Sequence, residues 1–267
     1  MKALPCRDIR TINFDPSVTM REAAPNLKTL KLHFENIEST VAAICNACPQ
    51  LAELHLFKMP MFPLKLDKLQ VLALQRLPDN KEWNPDWITQ FPTLKRFKVA
   101  GFLGNLDFLL KSNVTQLDVP MCFINPSVHL PKLTSLKLGG DISRGDSIVP
   151  ISADPTITKR IIQFLAKHSE NLQKLYWINN DKPAEVMNFV AEKCTNLKVI
   201  RVGDVKGQDE HFMTKKWKAF CHHRKETGNV GQRVTILTDL TIDWEYLKDA
   251  NATTITKSQF LNFFDFL

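Results

Sequence analysis

The residues best suited to chemistry are six cysteines, seven histidines and scattered carboxylates. Cys45 and Cys48 stand at the C-x-x-C spacing within CNAC (45–48). A zinc site needs four ligands, usually two such pairs or one pair plus histidines, and no second pair exists. The other cluster is HFMTKKWKAFCHHRK (211–225), with His211, Cys221, His222 and His223. Adjacent histidines on a helix face different ways, so His222 and His223 cannot easily share a metal. The sequence has no G-x-S-x-G elbow, Walker loop, H-E-x-x-H or G-x-G-x-x-G. GFLGN (101–105) and GNVGQ (228–232) read as ordinary turns, and Asp107 and Asp118 lack any spacing that suits acid–base work. Nine glycines in 267 residues is about half the average share, which also speaks against phosphate-cradling loops. The expectation is a non-enzyme with no cofactor and no metal.

Charge and cysteine usage point to a compartment. The net charge of +7 is mildly basic, with seven Lys or Arg against three acids over 205–233. The start, MKALPCRDIR, has no apolar signal region, and no run approaches the length of a membrane span. The thiols are therefore expected to be reduced and the protein cytoplasmic or nuclear, without membrane association.

The elements that position these residues come from a repeat. PNLKTLKLHF (25–34), PQLAELHLFK (49–58), PTLKRFKVAG (92–101), PKLTSLKLGG (131–140), ENLQKLYWIN (170–179) and TNLKVIRVGD (195–204) are variants of one phrase, LxxLxL. Looser copies are DIRTINF (8–14), DKLQVLAL (67–74), NVTQLDV (113–119) and LTDLTID (237–243). The ten first apolar positions are 9, 27, 51, 69, 94, 114, 133, 172, 197 and 237. All thirty key positions are apolar against a 44% background.

Within each copy the last two apolar positions alternate with polar residues, the period of a half-buried strand. Between copies the period changes to that of a helix. Ile37, Val41, Ile44, Cys45 and Cys48 form one stripe; Ile157, Ile161, Phe164 and Leu165 form another; Val186, Phe189, Val190 and Cys194 form a third. Prolines at 85, 155 and 183 suit first turns, where the missing N–H goes unused. Copies 18–20 residues apart leave room only for extended chain or a short turn.

Three stretches align without gaps: VAAICNACPQLAELHL (41–56), IQFLAKHSENLQKLYW (162–177) and MNFVAEKCTNLKVIRV (187–202). A helix, then Cys48-Pro49-Gln50-Leu51 or Cys194-Thr195-Asn196-Leu197, then a strand resembles the cysteine-containing type of leucine-rich repeat. That type is similar to the substrate-recognition half of F-box proteins in cullin–RING ubiquitin ligases. The resemblance implies an α/β leucine-rich-repeat solenoid, curved, with short parallel strands on its concave face and irregular helices and loops outside. The solenoid is expected over 1–245, with an insertion at about 139–156 and a helix at about 209–225; residues 246–267 are expected to form a C-terminal helical cap. Cys48 and Cys194 are implied to be packing residues, and Ser169 occupies a third cysteine's place. An F-box has no room before the first copy, so an adaptor of the ligase would be met through a missing or separate module.

Such a solenoid acts through its concave strip. Central outward positions run Asn13, Lys31, His55, Ala73, Lys98, Asp118, Lys137, Tyr176, Arg201 and Thr241, flanked by Glu53, Phe57, Arg96, Gln116 and Lys174. Read conservatively, the lysines keep an exposed sheet soluble. Read functionally, Lys31, His55, Phe57, Arg96, Lys98, Lys137, Lys174, Tyr176 and Arg201 form a mildly basic surface for a protein target, with Tyr176 and Phe57 as anchors. The expected function is target recognition, as a substrate receptor of an SCF-type ubiquitin ligase. The alternatives are a ligase-independent scaffold or inhibitor and, third, a nucleic-acid binder using the same cations and the basic face of 211–225, with Lys215, Lys216, Lys218 and Arg224.

Overall fold

The computed structural model describes residues 26–32, 38–59, 63–64, 66–76, 85–101, 106–120, 124–139, 155–178, 184–202, 210–237, 247 and 251–255. Two compact units divide the chain, Met1–Phe123 and Ile124–Leu267, where the sequence predicts one solenoid. The first holds β1 (Thr29–Lys31), α1 (Glu38–Ala47), β2 (Glu53–Lys58), β3 (Val71–Arg76), β4 (Arg96–Gly101) and β5 (Gln116–Pro120). Its 3₁₀ helices, Pro85–Gln90 and Asp107–Lys111, lie before and after β4. The second holds β6 (Ser135–Gly139), α2 (Pro155–His168), β7 (Lys174–Ile178), α3 (Ala184–Lys193), β8 (Val199–Val202), α4 (Glu210–Glu226), β9 (Val234–Leu237) and β10 (Ala252–Ile255). In each unit every strand pairs in parallel with the next one along the chain. The molecule is thus α/β, built on open, all-parallel sheet.

Eight of the ten expected copies begin a strand two residues after their first apolar position, from Leu27 before Thr29 to Leu197 before Val199. The reason is visible at the turn. The first leucine closes it, as when Leu51 N–H donates to Cys48 O (3.1 Å) and Leu94 N–H to Phe91 O (3.1 Å). The next residue's carbonyl then accepts two amides from the following copy. Lys28 O takes Ala52 N–H (2.8 Å) and Glu53 N–H (2.9 Å), and Ala52 O takes Gln70 and Val71 in the same way. In the second unit Thr134 O takes Gln173 and Lys174, and Gln173 O takes Lys198 and Val199. One backbone device therefore sets the register copy after copy, and a one-residue slip would turn the leucines out to water.

The core lies on one side of each sheet. Leu54, Leu56, Leu72, Leu74, Phe97, Val99, Leu117 and Val119 are buried with Val41, Ile44 and Cys45 of α1. Trp87 and Phe108 of the 3₁₀ helices stand 6.4 and 5.5 Å, centroid to centroid, from Phe97 of β4. The second unit buries Leu136, Leu138, Leu175, Trp177 and Ile200 with Ile161, Phe164, Leu165, Val186 and Val190 of its helices.

The C-terminal part differs from expectation. Of the copy at 237–243 only Leu237 is described, as the last residue of β9 (Val234–Leu237), whose Val234 and Ile236 face inward; residues 238–243 lie outside the described residues. Where a helical cap is expected over 246–267, Ala252–Ile255 form a strand, β10, whose Thr253-Thr254-Ile255 run is β-branched and favours extended chain. Asn251 enters β10 with φ 49°, a left-handed conformation that asparagine tolerates. It also ties β10 to β9, its Nδ2 donating to Val230 O (2.9 Å) and its carbonyl accepting Val234 N–H (2.9 Å). The GNVGQ turn ends α4: Gly228 at φ 71° lets its own N–H reach Lys225 O (3.1 Å) and that of Asn229 reach Arg224 O (3.0 Å). The copy at 8–14, most of the insertion at 139–156, and residues 256–267 lie outside the described residues. No helix among the described residues is long and apolar enough to cross a membrane.

Candidate interaction surface

Parallel register lines the outward side chains of the first unit into rows. One row is Thr29, Glu53, Val71, Arg96, Gln116; the next is Lys31, His55, Ala73, Lys98, Asp118. Four of the expected surface residues, Lys31, His55, Arg96 and Lys98, therefore do come together. Phe57 is partly exposed further along β2.

The rows are cross-linked. His55 Nε2 lies 2.6 Å from Glu53 Oε1, and since a carboxylate only accepts, Nε2–H donates. Thr29 Oγ1 donates to the other Glu53 oxygen at 3.4 Å. Arg96 Nε donates to Gln116 Oε1 (2.6 Å), and Lys98 Nζ stands 3.9 Å from Asp118 Oδ2. Among the described residues Lys31 forms no ion pair. Burial holds the His55 pKa below the usual histidine range, and the positive fields of Lys31 and Lys98 push the same way; the Glu53 hydrogen bond and charge oppose them without prevailing. His55 is thus neutral at pH 7. The Glu53–His55 pair escapes a reading that looks only for known motifs. Its signal is the i, i+2 spacing, which puts both side chains on one face of a strand.

In the second unit the rows are Ser135, Lys174, Val199, Thr235 and Lys137, Tyr176, Arg201. Lys137, Lys174 and Arg201 are partly exposed. Tyr176, expected as an exposed anchor, is only 7% exposed. It sits in register between Lys137 and Arg201, whose long stems suit covering a ring between them. Asn13 and Thr241 lie outside the described residues.

The remaining candidates are structural. Cys45, Cys48, Cys194 and Cys221 are buried thiols outside any disulfide. Burial pushes Cys45 and Cys194 up to about 12 and Cys221 up to about 11, so none is a thiolate at neutral pH. Cys6 and Cys122 lie outside the described residues. His222 pairs with Glu226 (3.0 Å) and His223 with Glu192 of α3 (3.7 Å), so the adjacent histidines do face different ways. No group of three or more His, Cys, Asp or Glu among the described residues could hold a metal ion.

The basic face of α4 needs one correction. Lys215 and Lys225 are exposed, but Arg224 is fully buried. It continues the apolar stripe of Trp217, Phe220 and Cys221, seven residues after Trp217 and four after Phe220. Its Nη2 donates to Gln232 O (2.9 Å) and its guanidinium lies 6.0 Å from the Phe220 ring centroid. Nε and Nη1 have no hydrogen-bond partner among the described residues.

No protein-family model and no curated protein matches this sequence. Function has to be read from the surfaces themselves.

Proposed function

We propose that this chain is a leucine-rich-repeat interaction protein that acts by binding a protein target and catalyses no reaction. The observation that carries the reading is the outward face of the first unit's sheet. There Lys31, His55, Arg96 and Lys98 stand in fixed register, interleaved with Glu53 and Asp118. Strands fixed by a repeated backbone bond present these groups with little ordering to be lost on association. Mixed charge of this kind gives selectivity and orientation to an encounter. The helix–cysteine–strand phrasing of 41–56 and 187–202 supports the narrower proposal of a substrate receptor for an SCF-type ubiquitin ligase, reached through a separate adaptor-binding module.

The test is reversal of charge on the face. Arg96→Glu with Lys98→Glu is expected to abolish capture of partners that the wild-type chain captures, with circular dichroism unchanged. Retention of every partner by that folded variant overturns the surface reading. Repeated absence of a cullin-ligase adaptor from affinity purifications of the full-length protein overturns the ligase proposal alone.

A further inference from the structure

Arg224 is the one buried Lys or Arg among the described residues, with 0% exposure. The polar groups beside it are firmly tied. Its Nη2 donates to Gln232 O (2.9 Å), its carbonyl accepts Asn229 N–H (3.0 Å), and Asn229 Nδ2 donates to Ala191 O of α3 (2.6 Å). The guanidinium is thus held where α3, α4 and the turn before β9 meet.

What surrounds it brings no counter-charge. Among the described residues no carboxylate pairs with Arg224, and its Nε and Nη1 have no acceptor. The ionisable groups whose fields reach it are the thiols of Cys221, three residues back on α4, and Cys194, just past the end of α3. Burial pushes those thiols up to about 11 and about 12, so both are uncharged at neutral pH. Losing its own proton is not a way out for a guanidinium. The site is therefore a buried positive charge with open N–H donors, set among Phe220, Trp217 and protonated thiols.

We infer that Arg224 binds a small monovalent anion, with chloride the fitting ion, which accepts a hydrogen bond from an open N–H of the guanidinium beneath α4. One negative charge balances the one positive charge. Water alone satisfies the N–H groups but leaves the charge without a partner, the costly part of the burial. Sulfate or phosphate carries a second charge into the core, together with more acceptor oxygens than the open donors can meet. The anion binds the folded chain and has no such site in the unfolded one, so it stabilises the second unit by mass action. This site lies on the helix side of the second unit and does not depend on the partner surface of the first.

The test is thermal unfolding of the full chain as sodium chloride replaces sodium gluconate at fixed ionic strength, wild type beside Arg224→Met. The wild-type midpoint is expected to rise and saturate. Its folded-to-unfolded ratio should increase about ten-fold once chloride reaches roughly ten times its dissociation constant. The Arg224→Met midpoint should stay level, so any advantage it holds over wild type is greatest without chloride and shrinks as chloride rises. General salt effects act on both proteins alike and cancel in the comparison. Bromide should replace chloride, and sulfate should not. A wild-type midpoint that responds no more than that of Arg224→Met overturns the proposal, as does an equal response to sulfate. If the variant does not fold, wild-type crystals grown in sodium bromide decide the matter. A bromine anomalous peak at hydrogen-bond distance from Arg224 Nε or Nη1 is expected, and peaks confined to the surface overturn the site.

Discussion

A buried histidine between two backbone groups has its tautomer and its charge decided for it, and His168 is such a residue. Its Nδ1–H donates to Phe164 O (2.7 Å) and its Nε2 accepts Leu130 N–H (2.8 Å), so it must be the neutral Nδ1–H form. The side chain thereby pins the end of α2 to the turn before β6. Burial depresses its pKa to about 4, and the nearby His129 and Lys167 add to that, while the Phe164 bond opposes them. In the unfolded chain the group titrates at 6.5. Between those values the unfolded state binds more protons, so stability is full above pH 6.5 and is lost as pH falls toward 4. The loss amounts to about 3 kcal/mol at most, at 1.36 kcal/mol per pKa unit. Urea denaturation at pH 7.0, 5.5 and 4.5 should show it, and His168→Gln should flatten the profile. The sequence aligns Ser169 with the cysteines at 48 and 194, one residue away from the side chain that is buried. His168 stands four residues before Leu172, whose N–H closes on His168 O, whereas Cys48 and Cys194 stand three before Leu51 and Leu197, and pattern alone does not reveal that shift.

Elements were legible wherever hydrophobic period alone decides them. The helices at Glu38–Ala47, Pro155–His168 and Ala184–Lys193 follow from their stripes, and the strands follow from LxxLxL. Two features were hidden, each because a second rule competed. The apolar C-terminus suggested a helix through residues where β-branched Thr253-Thr254-Ile255 form β10. On α4, charge placed Arg224 on the solvated face, whereas its spacing from Trp217 and Phe220 placed it in the core, and spacing prevailed. That outcome leaves in the interior a cation two of whose nitrogens have no partner among the described residues, a costly arrangement. Burial lowers its pKa, consistent with the cost. Arg224→Met keeps the stem's volume and removes the charge. It is expected to leave α4 folded and to be neutral or stabilising by about 1–4 kcal/mol, read from the shift in thermal midpoint. A large loss of stability would mean that the Gln232 bond and Phe220 contact outweigh the desolvation.

At the scale of the whole molecule, each copy is too short to bury its own apolar face and depends on the copies beside it. The strip of charges on the outward face was readable because register follows from the leucines; the pairings across it were not, since they depend on rotamers such as that joining His55 to Glu53. The dependence on neighbours makes a stability prediction that differs by position. Leu72 is wholly buried in β3 and stands in register between Leu54 of β2 and Phe97 of β4. Leu30 is also buried but lies on β1, which has one strand neighbour among the described residues. Truncation at Leu72 opens a cavity bordered on both sides, and such changes cost about 2–5 kcal/mol. Truncation at Leu30 leaves a space that fewer rigid neighbours hold open, so the site can collapse. Leu72→Ala should therefore cost more than Leu30→Ala, and should raise amide exchange in β2 and β4 as well as β3. Chemical denaturation and hydrogen exchange on the two variants check this. Equal costs, or exchange confined to β3, would mean that the copies are held by their own turns rather than by one another.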